Sequence, residues 1–267
     1  AMQINLLQVT SFLTLVPPAL LLFRREVKKD FLFGLLVFFS LCGALLWVYL
    51  QQAAGWNTSL SAALWLTISA SLIIYIIIST VTQEGWRLLP FLFPYLILLG
   101  IFAIVWDQVS EQHILSHIPM AWIGVHIIVS LATYGLLTLA ALAGLGAMVQ
   151  ERAIKSKTRT RLTRQLPSVS VSEKLLVNLL VASAIILTIG LLTGIASLYL
   201  ATGYFFAFNH KIILVVMVFA IVLCMLFMHF YTGIRGRAAT RFVLLAYLFL
   251  TLAYPGVKFV RDMLLSS

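Results

Sequence analysis

Five histidines carry most of the chemistry open to this 267-residue chain. In the stretch WIGVHIIVSLATYG, Trp122 to Gly135, His126, Ser130 and Tyr134 recur at four-residue steps. On a helix they form one polar stripe in otherwise apolar surroundings. A neutral imidazole can ligate a metal, carry a proton or hydrogen-bond a neighbouring helix, and its ordinary pKa keeps all three roles within reach near neutral pH. His113 and His117 share the i, i+4 spacing that puts two ligands on one helical face. Without acidic or cysteine partners at fixed spacing, that pair is a weak metal signature. His210 and His229 stand 19 residues apart in one apolar run.

The elements that must position these side chains are membrane helices. A chain that is 62% hydrophobic and 10% charged, with mean hydropathy +1.07, lacks the polar surface to cover a water-soluble globule. Apolar runs of about 20 residues, enough to cross a bilayer as helices, recur eight times: 4–23, 31–50, 59–80, 88–106, 122–149, 175–199, 211–232 and 239–260. The fold class is therefore all-α, a polytopic helix bundle forming one membrane domain. Pro17 and Pro18 within the first run, and the basic FRREVKKD after it, favour a retained helix over a cleaved signal peptide.

A net charge of +10 raises the question of a nucleic-acid partner. The positions of the charges answer it. Connections 24–30, 81–87, 151–174 and 234–241 hold 15 of the 18 Lys and Arg, whereas the alternate side holds Lys211, Lys258 and Arg261. This is positive-inside asymmetry: it reports topology, places both termini outside and argues against nucleic-acid binding. The longest basic connection, QERAIKSKTRTRLTRQLPSVSVSEK, reads as a cytoplasmic loop touching anionic lipid headgroups. Its SVSE, Ser170 to Glu173, resembles a capping box opening the sixth helix. Gly190 to Gly194, GLLTG, is a small-xxx-small pattern of internal helix packing.

On this topology His113, His117, His126 and His210 fall at or near the outer face, and only His229 lies toward the cytoplasm. The stripe of His126, Ser130 and Tyr134 must face the bundle interior or a cavity, since lipid would leave its polar groups unpaired, and its three residues are candidate cofactor-binding residues. Trp47, Trp56, Trp106, Trp122 and the YFFAFNHK segment gather at the same outer end. An interfacial aromatic belt accounts for most of them, but a flat apolar ligand with an axial imidazole also suits such a site, and haem is that ligand. No C-x-x-C-H motif is present, so any haem is held non-covalently; the cofactor expected is haem b. Cys42 and Cys224 are too few and too separated for a disulfide framework or a zinc site. No nucleophile, base and orienter constellation appears, so enzymatic activity is not expected.

Several segments resemble the cytochrome c assembly, or CcsA/HemX-like, membrane proteins: EGWRLLP (Glu84 to Pro90), VHIIVSLATYGLLTLAAL in the fifth span, PSVSVSEK before the sixth, LTGIASLY at its end and MHFYTGIRGRAATR after the seventh. Their order and spacing make the likeness specific from about Thr58 to the C-terminus. The resemblance implies a bacterial inner-membrane protein that handles haem, with proteins of cytochrome c assembly or haem synthesis as partners. It matches the family's outer haem-ligand histidine to His126 and its intramembrane ligand histidine to His229. The family's tryptophan-rich WWD signature is replaced by FAFNHK, which keeps only Lys211 and the aromatic character, and no histidine follows His229.

A helix rises 1.5 Å per residue, so His229 stands about 28 Å from His210 and across the membrane from His126. One iron cannot be held by both His126 and His229. Two sites are implied, or one haem that moves between them. His210, His117 or Met120 are candidate outer partners, and Met225 an inner one. Lys211 outside and Arg235, Arg237 and Arg241 inside are positioned for propionates. The expected function is haem binding or translocation. The alternatives are a transporter of a divalent cation or small solute, disfavoured by the scarcity of carboxylates in the spans, and a non-catalytic scaffold regulating haem synthesis.

Overall fold

The computed structural model describes residues 6–23, 28–53, 59–106, 120–158, 160–203 and 210–256. Among them there is no strand. The α-helices are α1 Leu6–Leu13, α2 Val16–Leu20, α3 Phe31–Ala53, α4 Leu60–Val81, α5 Leu89–Val105, α6 Met120–Lys155, α7 Arg161–Gln165, α8 Val169–Thr202, α9 His210–Thr232 and α10 Gly236–Thr251. Among the described residues, seven helical stretches are long and apolar enough to cross a membrane: Leu6–Phe23, Phe31–Ala53, Leu60–Val81, Gly85–Val105, Gly124–Lys155, Val169–Leu200 and Ile212–Thr232. The eighth expected run meets α10, which is 16 residues long, carries Arg237 and Arg241 in its first turns, and continues as a π-helical turn over Leu252–Gly256. Residues 257–260 of that run lie outside the described residues.

The chain gathers into two compact units, one of residues 1–113 and 149–171, the other of residues 114–148 and 172–267. In the first unit α4 is the most enclosed helix. Trp65, Ile68, Leu72 and Tyr75, spaced three and four apart, have no exposed surface, and neither do Leu89, Leu92, Phe93 and Leu96 of α5. The Tyr75 and Phe93 rings meet edge to face, with centroids 6.4 Å apart. Lipid is as apolar as these side chains, so close packing and buried hydrogen bonds hold such helices together more than water exclusion does. Gln8 of α1 illustrates the second contribution: it is buried, and its amide donates to Ser61 Oγ at 3.2 Å and to the Ala103 carbonyl at 3.1 Å.

The first expected span is broken between α1 and α2, and its prolines explain the break. Pro18 has no N–H to return to the carbonyl of Thr14. Ser40 of α3 supplies the missing donor, its hydroxyl lying 2.5 Å from that oxygen, so the freed carbonyl is satisfied inside protein, as the hydrocarbon region demands. The basic connections of this unit also converge. The Arg161 guanidinium donates to the Phe23 carbonyl, the Gln165 amide to the Leu22 carbonyl at 3.4 Å, and Arg87 lines one cavity with residues of the 150–169 segment.

The sixth span opens earlier than its capping-box reading requires. α8 starts at Val169, which places Ser170 and Glu173 inside the helix and leaves Ser168 flanking it. Pro167 lies directly before that residue, two positions ahead of the first helical residue.

Candidate functional site

In the second unit, α6 and α8 run antiparallel in a fixed register. His126 lies beside Thr193 and Gly194, Val129 beside Gly190, and Gly144 beside Leu176. The two glycines of GLLTG make the first part of that approach possible. A Cβ on Gly194 would stand 3.1 Å from His126 Cε1, and one on Gly190 3.3 Å from Val129 Cγ1. The pattern therefore serves packing of α8 on α6. α10 also lies antiparallel to α6: Tyr134 meets Thr251, while the Thr240 hydroxyl donates to the Gly144 carbonyl at 3.3 Å.

His126 is half-buried. Its Nδ1 lies 3.1 Å from Thr193 Oγ1, and the Thr193 hydroxyl donates to the Gly190 carbonyl at 3.1 Å. With the hydroxyl proton on that carbonyl, Thr193 offers a lone pair to the ring, the arrangement that goes with the Nδ1–H tautomer of His126. Its Nε2 then keeps a lone pair in the plane of the ring.

Ser130 and Tyr134 share the stripe without converging on His126. The Ser130 hydroxyl turns back to the His126 carbonyl at 2.7 Å. Tyr134, 4% exposed, bonds Thr251 Oγ1 at 3.0 Å and accepts from the Tyr247 hydroxyl at 3.4 Å. The Thr251 hydroxyl closes the set on the Tyr247 carbonyl at 2.8 Å, and the two tyrosine rings meet edge to face at 5.6 Å. Tyr134 thus ties α6 to α10, two turns away from His126.

At the other end of the same unit, His229 occupies the last turn of α9. Gly233 follows with φ +69°, the left-handed conformation that ends a helix most cheaply at glycine. Its N–H returns to the His229 carbonyl at 3.1 Å. The turn brings the Ile234 carbonyl to 2.8 Å from His229 Nδ1. A carbonyl only accepts, so this ring too carries its proton on Nδ1 and leaves Nε2 with a lone pair. The half-buried imidazole meets Phe230 edge to face at 5.2 Å. Met225, one turn earlier, is buried.

The two histidines stand at opposite ends of the unit. Gly144 is 18 residues beyond His126 on α6, about 27 Å at helical rise, and it contacts Thr240, one turn into the helix that follows the His229 turn. Arg235, Arg237 and Arg241 are exposed at that inner end. His210, Lys211 and Met120 lie at helix starts whose side chains fall outside the described residues, as do His113 and His117 altogether. Sequence reasoning missed Thr193, Tyr247 and Thr251. Thr193 had a usable signal, since it sits between Gly190 and Gly194 in the segment that lets another helix approach.

Fold and site define a multi-pass, all-helical membrane protein with an imidazole poised at each end of one helical unit. The model of the family described as cytochrome C assembly protein matches residues 30–265, and the chain belongs to that family. It is similar to the "Uncharacterized 28.8 kDa protein in nifR3-like 5'region" of Azospirillum brasilense, 44% identical over 263 residues that cover 96% of this chain and 97% of the relative. It is more distantly similar to inner membrane protein YpjD of Escherichia coli K12, 25% identical over 182 residues, covering 68% of this chain and 67% of that protein. No solved structure matches it. With its seven apolar helices and these relatives, the chain is a multi-pass inner-membrane protein.

Proposed function

We propose that this protein binds haem b non-covalently and passes it between the two faces of the membrane in cytochrome c assembly or haem metabolism. His126 ligates at the outer end and His229 at the inner. The observation that carries the reading is the shared setting of the two rings: each has Nδ1 within hydrogen-bond distance of an oxygen, Thr193 Oγ1 at 3.1 Å or the Ile234 carbonyl at 2.8 Å, an arrangement suited to Nε2 as lone-pair donor. Ligating histidines are oriented in this way by the bond on their other nitrogen. Gly194 adds a cradle, since any Cβ there would press on the His126 ring.

Bound haem would supply an iron that accepts an imidazole nitrogen and two propionates that need cations. Arg235, Arg237 and Arg241 are the cations available at the inner end, and Lys211 is their counterpart at the start of α9. The proposal includes an eighth crossing made by α10 with its π-helical turn, both termini outside, and no catalytic role. The helix order of the second unit supports the crossing, because α10 returns alongside α6 from Gly144 to Tyr134.

Hemin titration of the purified chain, followed by quenching of tryptophan fluorescence, tests the proposal. Wild-type protein should saturate, His126→Ala and His229→Ala should each lose part of the uptake, and the double variant should lose all of it. Uptake no greater than that of an unrelated membrane protein would reject it.

A further inference from the structure

The first unit contains a cavity of about 610 Å³ at the end where its basic connections meet. This volume is within the range of small-molecule sites. Three cationic side chains line it from three separate segments: Arg87 from the turn before α5, Lys157 from the end of α6 and Arg164 from α7. Ala153, Ile154 and Leu166 supply apolar wall, and among the described residues no carboxylate lines it.

Each cation is held there by something specific. Arg87 belongs to the EGWRLLP segment, whose backbone is locked. The Trp86 carbonyl accepts from the buried Tyr75 hydroxyl at 2.7 Å, the Trp86 ring stands edge to face on Phe33 at 5.9 Å, and Gly85 fits where a Cβ would lie 2.6 Å from Ile78 Cγ2. Glu84 approaches the Arg87 guanidinium only to 3.8 Å, with both side chains 37% exposed, a weak pair. Arg164 is placed by Gln150, whose amide donates to the carbonyls of Thr163 at 2.7 Å, Leu166 at 3.3 Å and Pro167 at 3.1 Å. Those bonds fasten the 160–167 segment over the end of α6.

Lys157 is the most informative of the three. It ends α6 with φ +54°, its N–H returning to the Ile154 carbonyl and that of Thr158 to the Ala153 carbonyl, both at 3.2 Å. This is the helix-ending motif whose left-handed residue is ordinarily glycine. A lysine accepts a strained backbone here, and its side chain lines the cavity. Among the described residues no carboxylate pairs with Lys157 or Arg164. Three like charges around one half-open cleft repel one another unless an anion joins them. Ser168 and Val169 at the opening of α8 also line the space, and the free N–H groups and dipole of a long helix's first turn add to the same preference.

We propose that the cavity bounded by Arg87, Lys157, Arg164 and the start of α8 binds a phosphate-bearing anion. It is independent of the haem reading, uses other residues and lies in the other unit. It also gives a common purpose to EGWRLLP and PSVSVSEK, segments about 80 residues apart in sequence that meet on this one cavity. The phosphate can belong to a lipid headgroup or to a soluble compound, and the two sources are separable.

The test uses the full chain in neutral detergent. One arm titrates inorganic pyrophosphate by calorimetry; the other counts retained phosphatidylglycerol against phosphatidylcholine by native mass spectrometry. Lys157→Gly is the decisive variant, because glycine relieves the backbone strain and should leave the melting temperature equal or higher while removing a cation. Lys157→Gly and Arg164→Gln should each weaken binding at least fivefold in one arm. Lys155→Gln, at a residue paired with Glu151 and absent from the lining, should leave binding unchanged. Saturable pyrophosphate binding identifies a soluble phosphate, and selective phosphatidylglycerol retention a lipid. Binding in neither arm overturns the proposal, as does binding that Lys155→Gln reduces as much as Lys157→Gly does.

Discussion

Replacing Thr193 by valine isolates the bond that sets the His126 tautomer. Valine nearly reproduces the shape of threonine, so the close approach of α8 to α6 at Gly190 and Gly194 survives, while the oxygen 3.1 Å from His126 Nδ1 is lost. Leaving a buried donor without its acceptor costs about 1–3 kcal/mol, and His126 is half-buried, so the lower end of that range applies. Freed from its acceptor, the imidazole can rotate or move its proton to Nε2, the nitrogen needed for ligation. Removing the orienting partner of a ligating histidine typically lowers metal affinity about 10–100-fold. Hemin titration of Thr193→Val should therefore show affinity at the outer site at least about tenfold weaker, with a thermal midpoint only a few degrees lower. Thr193→Ser, which restores an acceptor, should recover most of the affinity. A valine variant that binds hemin as tightly as wild type would refute the argument that this bond prepares Nε2.

Tyr134→Phe removes the hydroxyl joining Tyr247 and Thr251 and should destabilise the chain by about 1 kcal/mol, yet leave any haem spectrum unchanged, since Tyr134 lies about 12 Å along α6 from His126; thermal unfolding and absorbance together check this. Gly85→Ala forces a Cβ to within 2.6 Å of Ile78 Cγ2 and 2.9 Å of the Ile78 carbonyl, and should cost about 1–3 kcal/mol or more, measured as a lower melting temperature in detergent. Ser168→Cys should resist an impermeant thiol reagent in intact cells and react in inverted vesicles; labelling in intact cells would reverse the proposed orientation.

Membrane spans were legible in the sequence because an uncharged run of about 20 residues has few other uses: the runs at 31–50 and 122–149 fall within α3 and α6, and the run at 59–80 meets α4 with its first residue, Ser59, as the N-cap. Helix ends were less legible. α8 starts ahead of its apparent capping box, and Pro17 with Pro18 divided the first run, both local effects that average hydropathy passes over. The stripe of His126, Ser130 and Tyr134 was readable from spacing, but its division between two partners was not. Thr193 is 67 residues from His126 and Thr251 is 117 from Tyr134, and only tertiary register brings them together. The basic cavity was invisible for the same reason: its cations lie on segments that read separately as topology signals.

The absorption spectrum of the full chain purified from haem-replete cells tests the central claim most directly. The account predicts a Soret band from non-covalently held haem, lost or shifted in His126→Ala at unchanged folded yield, with His229→Ala keeping part of the signal. A wild-type protein that is colourless as purified, and remains so after hemin is added and the excess removed, would contradict it.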